Sequence, residues 1–570
     1  MLVLSSNPSH RPFAAAPLTG QRGVVLGTLF SRPPDNKAGP QVSAFTDDMS
    51  NDLVVSKGAA LNRRFWGRFV ALLRNDEADA FYVLRDSSGG VPCFFHREGN
   101  LTVIVSDAET LAACCIGKAP IDLSYVVAFL RQNHMQRPET GFATIFELQA
   151  GERLIVKSSG VSREFHWHPK TFATSQPIEQ FDEAVEAVRA VTRNCVSAWA
   201  SVYGKIMHRL SGGLDSAVVL SCLANTPTSV ICENSYSRLD PDSDERNYAR
   251  LGARRTGLRL VETELQPEAC RFERLLGMPL FFKPSIATLS FQHSFIPDLV
   301  RGHKIEAFTT GQGGDQVFFR FRDGIIAADR ALRDRSFSAV FNSTLDGARL
   351  AQRSFWSILR LVWRYAILKR EYRGFDSWLD KRSLLSDGAL RTIDPQRLLH
   401  PWLHGATMLP PGKLMHVFAI ADLQYYQEPT SLSLEADTPL VLASAPIVEL
   451  ALRIPTDVHS IGGIDRAVER AAFQNDLPEE IVTRRSKGGV TRHFSRVLLE
   501  NHAFVTELLN DGMLLKERLI DPQKLRERLS LDYISRIDGV ESLLNCVAAE
   551  AWLQRSSAAI NGAAHAQRYA

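Results

Sequence analysis

The chain has almost no charge of one sign to spare: 66 Lys and Arg stand against 63 Asp and Glu in 570 residues, a formal net charge of +3. A generic polyanion binder carries a large basic excess, so nucleic acid is not expected as a partner. Cysteine is present but without pattern. Its eight copies form no Cys-x-x-Cys pair and no metal-ligand spacing, which reads as reduced thiols in a cytoplasmic protein. No stretch approaches the roughly 18 apolar residues that a membrane span needs. The opening Met1 to Ser6 has neither the basic region nor the long apolar run of a secretory signal. Membrane and secretion are therefore not expected either. With 45% hydrophobic and 23% charged residues, the chain is an ordinary globular one with room for two or three domains, which excludes a disordered or collagen-like chain.

From Gly23 to about Lys157 short β-runs alternate with turn residues: Val24–Phe30, Phe81–Leu84, Pro92–Phe95 and Leu101–Ser106. That pattern predicts an antiparallel sheet with interposed helices. A polar stretch, Pro169 to Pro177, precedes a helical periodicity from about Ile178 to Ala200, and a domain boundary is placed near Thr174, dividing the chain into 1–173 and 174–570. Beyond it the rhythm becomes strand, loop, helix. Lys205–Leu210, Ser229–Cys232, Arg259–Thr263 and Ile305–Thr309 read as strands, with helices from the Ser211–Ser216 loop to Ala224 and from Ser243 to Thr256. This predicts a doubly wound parallel sheet in an α/β fold. The chain past Arg320 is mainly helical, and the Ala-rich tail 556–570 is expected to fray.

Ser211-Gly-Gly-Leu-Asp-Ser216 falls where a βα unit presents ligands. Gly212 and Gly213 let backbone amides approach an anion, the following helix start adds partial positive charge, and Ser211 and Ser216 add hydroxyls. Asp215 is out of place against bare phosphate but makes sense if Mg²⁺ bridges the two. The competing account is a glycine-rich turn with helix capping.

The hexapeptide resembles the pyrophosphate loop of ATP pyrophosphatases, and the resemblance extends along the chain to the asparagine synthetase superfamily. Asp244–Arg250 with Thr256-Gly257 is similar to the helix after that family's second strand, and Thr310-Gly-Gln-Gly-Gly-Asp315 to its second phosphate and metal loop. Leu434–Leu440 resembles the segment with an acceptor-pocket glutamate, and Arg484–Gly489 the loop with a catalytic lysine. In the front part, Phe65–Phe69, Leu84-Arg-Asp86 and Thr144–Gly151 fit as well.

The resemblance implies a class II glutamine-amidotransferase-like β-sandwich followed by an ATP-dependent ligase domain of the ATP-pyrophosphatase type, with ATP and Mg²⁺ as cofactors. Ser211, Gly212, Gly213, Asp215, Ser216 and Gly311 would hold the nucleotide phosphates, Asp215 and Asp315 the metal, and Lys487, Glu435 and Gln312 would carry catalysis. Lys487 would neutralise phosphate and oxyanion charge, although by itself it also reads as a solvated basic turn. Glu435, between Leu434 and Ala436, would take a proton from the attacking ammonium, with an ion pair to a nearby arginine as the competing account. Glu245 is expected to be a helix-start charge and nothing more, and Tyr425 and Tyr426 packing residues.

Three departures narrow the expectation. Leu2 stands where glutamine-dependent members carry their nucleophilic cysteine, and the next candidate, Cys93, falls in a predicted strand, so the front domain is expected to be degenerate. Gln312 replaces the Glu of asparagine synthetases and the Tyr of β-lactam synthetases, and Asp437 replaces an arginine. What remains most similar is the lasso peptide cyclase branch. That branch implies adenylation of an Asp or Glu side chain of a leaderless core peptide and ring closure by the peptide's N-terminal amine, with a leader peptidase and a leader-binding protein as partners. Another amide ligase of the superfamily, acting on a small carboxylic acid, is the alternative. Arg349 to Arg373, with seven basic residues and interleaved aromatics, reads as an amphipathic helix with Trp363 on its buried face, or as a platform for an acidic peptide.

Overall fold

Alternation of apolar residues organises the front half. Its strands are β1 (Leu2–Leu4), β2 (Ala15–Pro17), β3 (Gly23–Ser31), β4 (Phe65–Asn75), β5 (Ala80–Arg85), β6 (Phe94–Glu98), β7 (Leu101–Val105), β8 (Ile145–Glu147), β9 (Glu152–Lys157) and β10 (Gly160–Phe165) in a computed structural model. The structure describes residues 2–4, 14–32, 39–112, 119–292, 295–372, 374, 383–485, 488–489, 491–536 and 540–567. Six strands form an antiparallel sheet in the order β10-β9-β5-β4-β3-β2, and four form a second in the order β1-β7-β6-β8, antiparallel except for the β1–β7 pair. Because side chains alternate along a strand, Val70 and Leu72 of β4 face Phe95 and Ile104 of the second sheet. Phe69, Ala71 and Leu73 instead meet Leu53 and Leu61 of two flanking helices. The result is the expected sandwich with helices on its outer face.

The back half contains β11 (Lys205–Arg209), β12 (Ser229–Tyr236), β13 (Arg259–Glu264) and β14 (Ala307–Thr309), all parallel in the order β13-β12-β11-β14. Ile206 and Met207 point to opposite faces of this sheet. Ile206 joins the core that holds the helix Phe181–Ala200, and Met207 the one under Phe295–Gly302. Asp437 pairs in parallel with Ala307, extending the sheet beyond β14. All ten residues of the helix Leu214–Leu223 are buried, which accounts for the apolar stretch Ala217–Leu220 on every face of its middle turn. The helical remainder ends in Val540–Gln567. That helix continues into the tail expected to fray, and Ala559 and Ile560 pack on the core. Among the described residues, no helix is long and apolar enough to cross a membrane.

Cores run across the expected boundary at 173/174: Phe30 and Trp66 of the front sheet meet Trp199 edge-on, and Trp552 of the last helix packs on Phe142. Polar ties join the halves too. Arg68 pairs with Asp437 Oδ1, while Tyr203 donates to Oδ2 at 2.5 Å. His134 stacks on Tyr425 at 4.5 Å, with Nδ1 3.1 Å from Asp422 and Nε2 3.4 Å from Glu541. Burial opposes a charge on His134, but its hydrogen bonds to the two carboxylates prevail and lift it from 6.5 to about 10. A folded-state value above the unfolded one stabilises fully below pH 6.5, and that stability is lost as pH rises toward 10. His134→Asn should therefore depress the melting temperature most at pH 6, and the difference from the parent should shrink steadily toward pH 10. A difference that does not change with pH would overturn the ion triad.

The basic aromatic segment differs from its expectation. A left-handed Gln352 ends one helix, Phe337–Ala351, and a second, Phe355–Val362, follows. Ile358 and Val362 are buried, but Trp363 lies past the second helix and is 56% exposed. Arg373 lies outside the described residues.

Candidate active site

The two nucleotide-type loops leave the carboxyl ends of adjacent strands, β11 and β14. In the first, Gly212 adopts φ +73°, and a Cβ there would lie 2.9 Å from the Glu245 carbonyl oxygen. Gly213 caps the helix Leu214–Leu223 with no side-chain acceptor, so the first-turn amides have no capping side chain to serve them. Ser216 Oγ donates to the Gly213 carbonyl at 3.1 Å and lies 3.2 Å from Ser211 Oγ.

The second loop is pressed against the first. A Cβ on Gly311 would fall 2.2 Å from Ser216 N, and one on Gly314 would fall 2.5 Å from Asp215 Cγ. Only glycine permits that approach. Gln312 is exposed on the loop, with its amide donating to Thr310 Oγ1 at 3.0 Å.

The contact brings Asp215 and Asp315 to one cation. Arg466 Nη1 donates to Asp215 Oδ1 at 2.7 Å and to Asp315 Oδ1 at 2.8 Å. Arg320 holds the other Asp315 oxygen at 3.1 Å. Burial disfavours a charged Arg466, but Asp215, then Glu469 and Asp315, hold its guanidinium well above its usual range. Glu469 is fully buried, and neither of its carboxyl oxygens has a hydrogen-bond partner. Burial, reinforced by Asp215, pushes its carboxyl far above the ordinary value. Asp465 is held low: burial works against it, but Arg470 at 2.8 Å, Arg466, and Arg322 at 2.6 Å prevail. Sequence reasoning missed Arg466. Its one local signal is the spacing of Asp465, Arg466, Glu469 and Arg470 within the apolar run that ends at Phe473.

The residues fit the expected ion. Two carboxylates already share one cation, and no third His, Cys, Asp or Glu joins them in a metal-binding group among the described residues. Mg²⁺ commonly binds this way, through one or two carboxylates with phosphate and water completing its octahedron.

Lys487 lies outside the described residues, but its neighbours are placed. Arg484 donates to the Gly212 carbonyl at 3.0 Å and to Glu245 at 2.6 Å, and Gly488 N donates to Glu245 at 2.8 Å. Glu245 is therefore more than a helix-start charge: it anchors the Arg484–Gly489 segment against the first loop.

Glu435 is not brought to the loops. It pairs with Arg301, the competing account for this residue. It also lies two positions before Asp437, which pairs with Ala307 at the start of β14, whereas the second loop follows that strand's end. Asp437 itself is taken up by Arg68 and Tyr203. The six described cysteines are all buried, and burial pushes the Cys93 thiol up to about 12; Cys114 and Cys115 lie outside the described residues.

Comparison with known proteins agrees with this layout. The asparagine synthase family model matches residues 187–554, and the glutamine amidotransferase domain model matches residues 51–167. Asparagine synthetase [glutamine-hydrolyzing] 3 of Bacillus subtilis (strain 168) is 23% identical over 159 residues, 28% of this chain and 25% of the relative. The match thus spans a quarter of that relative's length. Among solved structures, the allosteric regulatory enzyme of purine biosynthesis aligns over 46% of this chain and 64% of its own, at 10% identity and a TM-score of 0.18. The glutamine phosphoribosylpyrophosphate amidotransferase from B. subtilis, complexed with ADP and GMP, aligns over 52% and 63%, at 12% identity and a TM-score of 0.17. Scores that low carry no argument about either fold or activity.

Proposed function

The chain belongs to the asparagine synthase family, and from that premise we propose that it is an ATP-dependent amide ligase that adenylates a carboxylate and releases AMP and pyrophosphate. The observation that carries this reading is the meeting of the two loops, with Asp215 and Asp315 bound to a single cation. A carboxylate oxygen attacks the α-phosphorus and pyrophosphate leaves. An amine then attacks the acyl carbon, AMP leaves, and the amine gives up a proton. The first-turn amides of the helix Leu214–Leu223, which no side chain caps, and the Ser211 and Ser216 hydroxyls bind the departing phosphates. Arg466 and Arg320 offset their charge. Asp215 and Asp315 would hold Mg²⁺, which would supply further neutralisation there.

The finer reading is macrolactam formation on a leaderless core peptide. An Asp or Glu side chain is the carboxylate and the peptide's own N-terminus is the amine, with a leader peptidase and a leader-binding protein preparing the substrate. Two features support it. Every described cysteine is buried, so none of them offers the front half an exposed thiolate for glutamine hydrolysis. Asp437 is neutralised by Arg68, so this segment presents no free cation to a small amino-acid carboxylate.

The test is isotopic ATP–pyrophosphate exchange run beside mass spectrometry of a candidate core peptide. Mg²⁺-dependent exchange, AMP as product, loss of one water from the peptide and indifference to glutamine are expected. ADP and phosphate as stoichiometric products would sink the adenylation reading. Exchange with a small carboxylic acid and none with any peptide would replace the macrolactam by the alternative substrate class.

A further inference from the structure

Between the front sandwich and the ligase half lies a cavity of about 610 Å³. That is about twenty times the ~30 Å³ share of a liquid water and within the range of organic-ligand sites. Arg68 and Arg85 reach it from the sheet, and Lys283 and the turn Gln424–Pro429 from the ligase side. Tyr426, on that turn, also bonds Gln316 and lies near enough to feel the charge of Asp315, so the cavity wall connects to the second nucleotide loop.

One wall is a buried charge cluster. Lys283 Nζ donates to Glu147 Oε2 at 2.7 Å and to Gln136, and lies 3.3 Å from Glu428 Oε1. Arg85 donates to the other Glu147 oxygen at 2.8 Å, and Gln136 Nε2 to Glu428 Oε1 at 2.8 Å. Glu147 is served on both oxygens. Glu428 is not: its side chain is 7% exposed and its Oε2 has no hydrogen-bond partner. A buried carboxylate oxygen left without a donor is costly, and a ligand's charged donor relieves that cost. The rest of the lining points the same way, since its residues include six carboxylates against three Lys and Arg. The complement of such a wall is a cation with N–H donors.

We propose that Glu428 Oε2 receives the primary ammonium of a peptide N-terminus, and that this cavity seats the first residues of the amine-bearing substrate. The identification of the amine rests on the amide-ligase reading; the orphaned oxygen and the excess of carboxylates do not. Glu428 is a binding residue that holds the acceptor end of the peptide beside the loop that forms its acyl partner.

Triglycine amide, which carries one ammonium and no carboxylate, tests this by titration calorimetry on the full chain without nucleotide, beside N-acetyl-triglycine amide. The free amine should bind at least about tenfold more tightly than the acetylated form, as expected for a charge-assisted bond. In Glu428→Gln that preference should collapse to within about twofold. Equal binding of the two ligands to the unaltered protein, no binding of either at millimolar concentration, or a preference that survives Glu428→Gln would each overturn the assignment. The ligand comparison on the unaltered protein stands even if the variant does not fold. If amine preference persists where pyrophosphate exchange fails, the ligase reading is lost and the site retained; exchange without amine preference has the opposite meaning.

Discussion

Asp215→Asn and Asp315→Asn are each expected to reduce pyrophosphate exchange and product formation on the order of a thousandfold, by the precedent of lost transition-state charge stabilisation, while the chain stays folded. The two carboxylates come from loops on different strands, and both reach Arg466 Nη1, at 2.7 and 2.8 Å. Either amide keeps the side-chain shape and removes one of the two charges that a divalent ion needs. Folding should tolerate the change because Arg466 keeps its remaining partner and Asp465, while Asp465 stays bound to Arg322 and Arg470. In Asp215→Asn the burial of Glu469 beside a second negative charge is also relieved. Exchange measured at limiting Mg²⁺ beside a thermal melt checks both parts. Near-parental exchange in either variant would show that the carboxylates do not hold the metal.

Gly311→Ala and Gly314→Ala are expected to cut exchange by about a hundredfold or more and to destabilise the chain by roughly 1–3 kcal/mol, the usual cost of overpacking. The added methyl groups would lie 2.2 Å from Ser216 N and 2.5 Å from Asp215 Cγ. The first obstacle is backbone in the first turn of a fully buried helix, which has little room to yield. The second is the carboxylate that meets Arg466. In either case the loops must separate, and the shared cation site opens with them. Gly277→Ala is the control: nothing lies within 4 Å of its added carbon and its φ is not in the left-handed range. Urea denaturation and exchange assays on the three variants check the outcome. Full activity in both loop variants would mean that the loops need not touch.

Several features were legible in the sequence because they are local. The short β-runs Val24–Phe30 and Leu101–Ser106, set between turn residues, mark strands before any partner strand is known. The glycines of Ser211–Ser216 and Thr310–Asp315 announce close backbone approach. Their place after apolar strand runs puts both loops at the carboxyl edge of a parallel sheet. The strand read at Pro92–Phe95 starts two residues later than its apolar pattern suggests, at Phe94, as expected for a residue with no N–H to give a ladder.

Pairing between distant charges is not a local property. Arg466 is 251 residues from Asp215 and 151 from Asp315, and nothing in its neighbourhood says that it, of 66 Lys and Arg, closes the two-carboxylate site. The same holds for Asp437, taken by Arg68 across the seam, and for Glu435, turned to Arg301. Glu245 looked like a helix-start charge until Arg484 and Gly488 came to rest on it. The four parallel strands, the two loops and the chemistry those loops invite are written locally, because apolar patterning and glycine's backbone freedom act within a few residues. Packing in three dimensions sets which carboxylates share a cation, which are spent on the seam between the halves, and that Glu428, a residue of the cavity wall, keeps one oxygen, Oε2, without a partner. Those outcomes depend on distances through space, which the packing of the two halves sets.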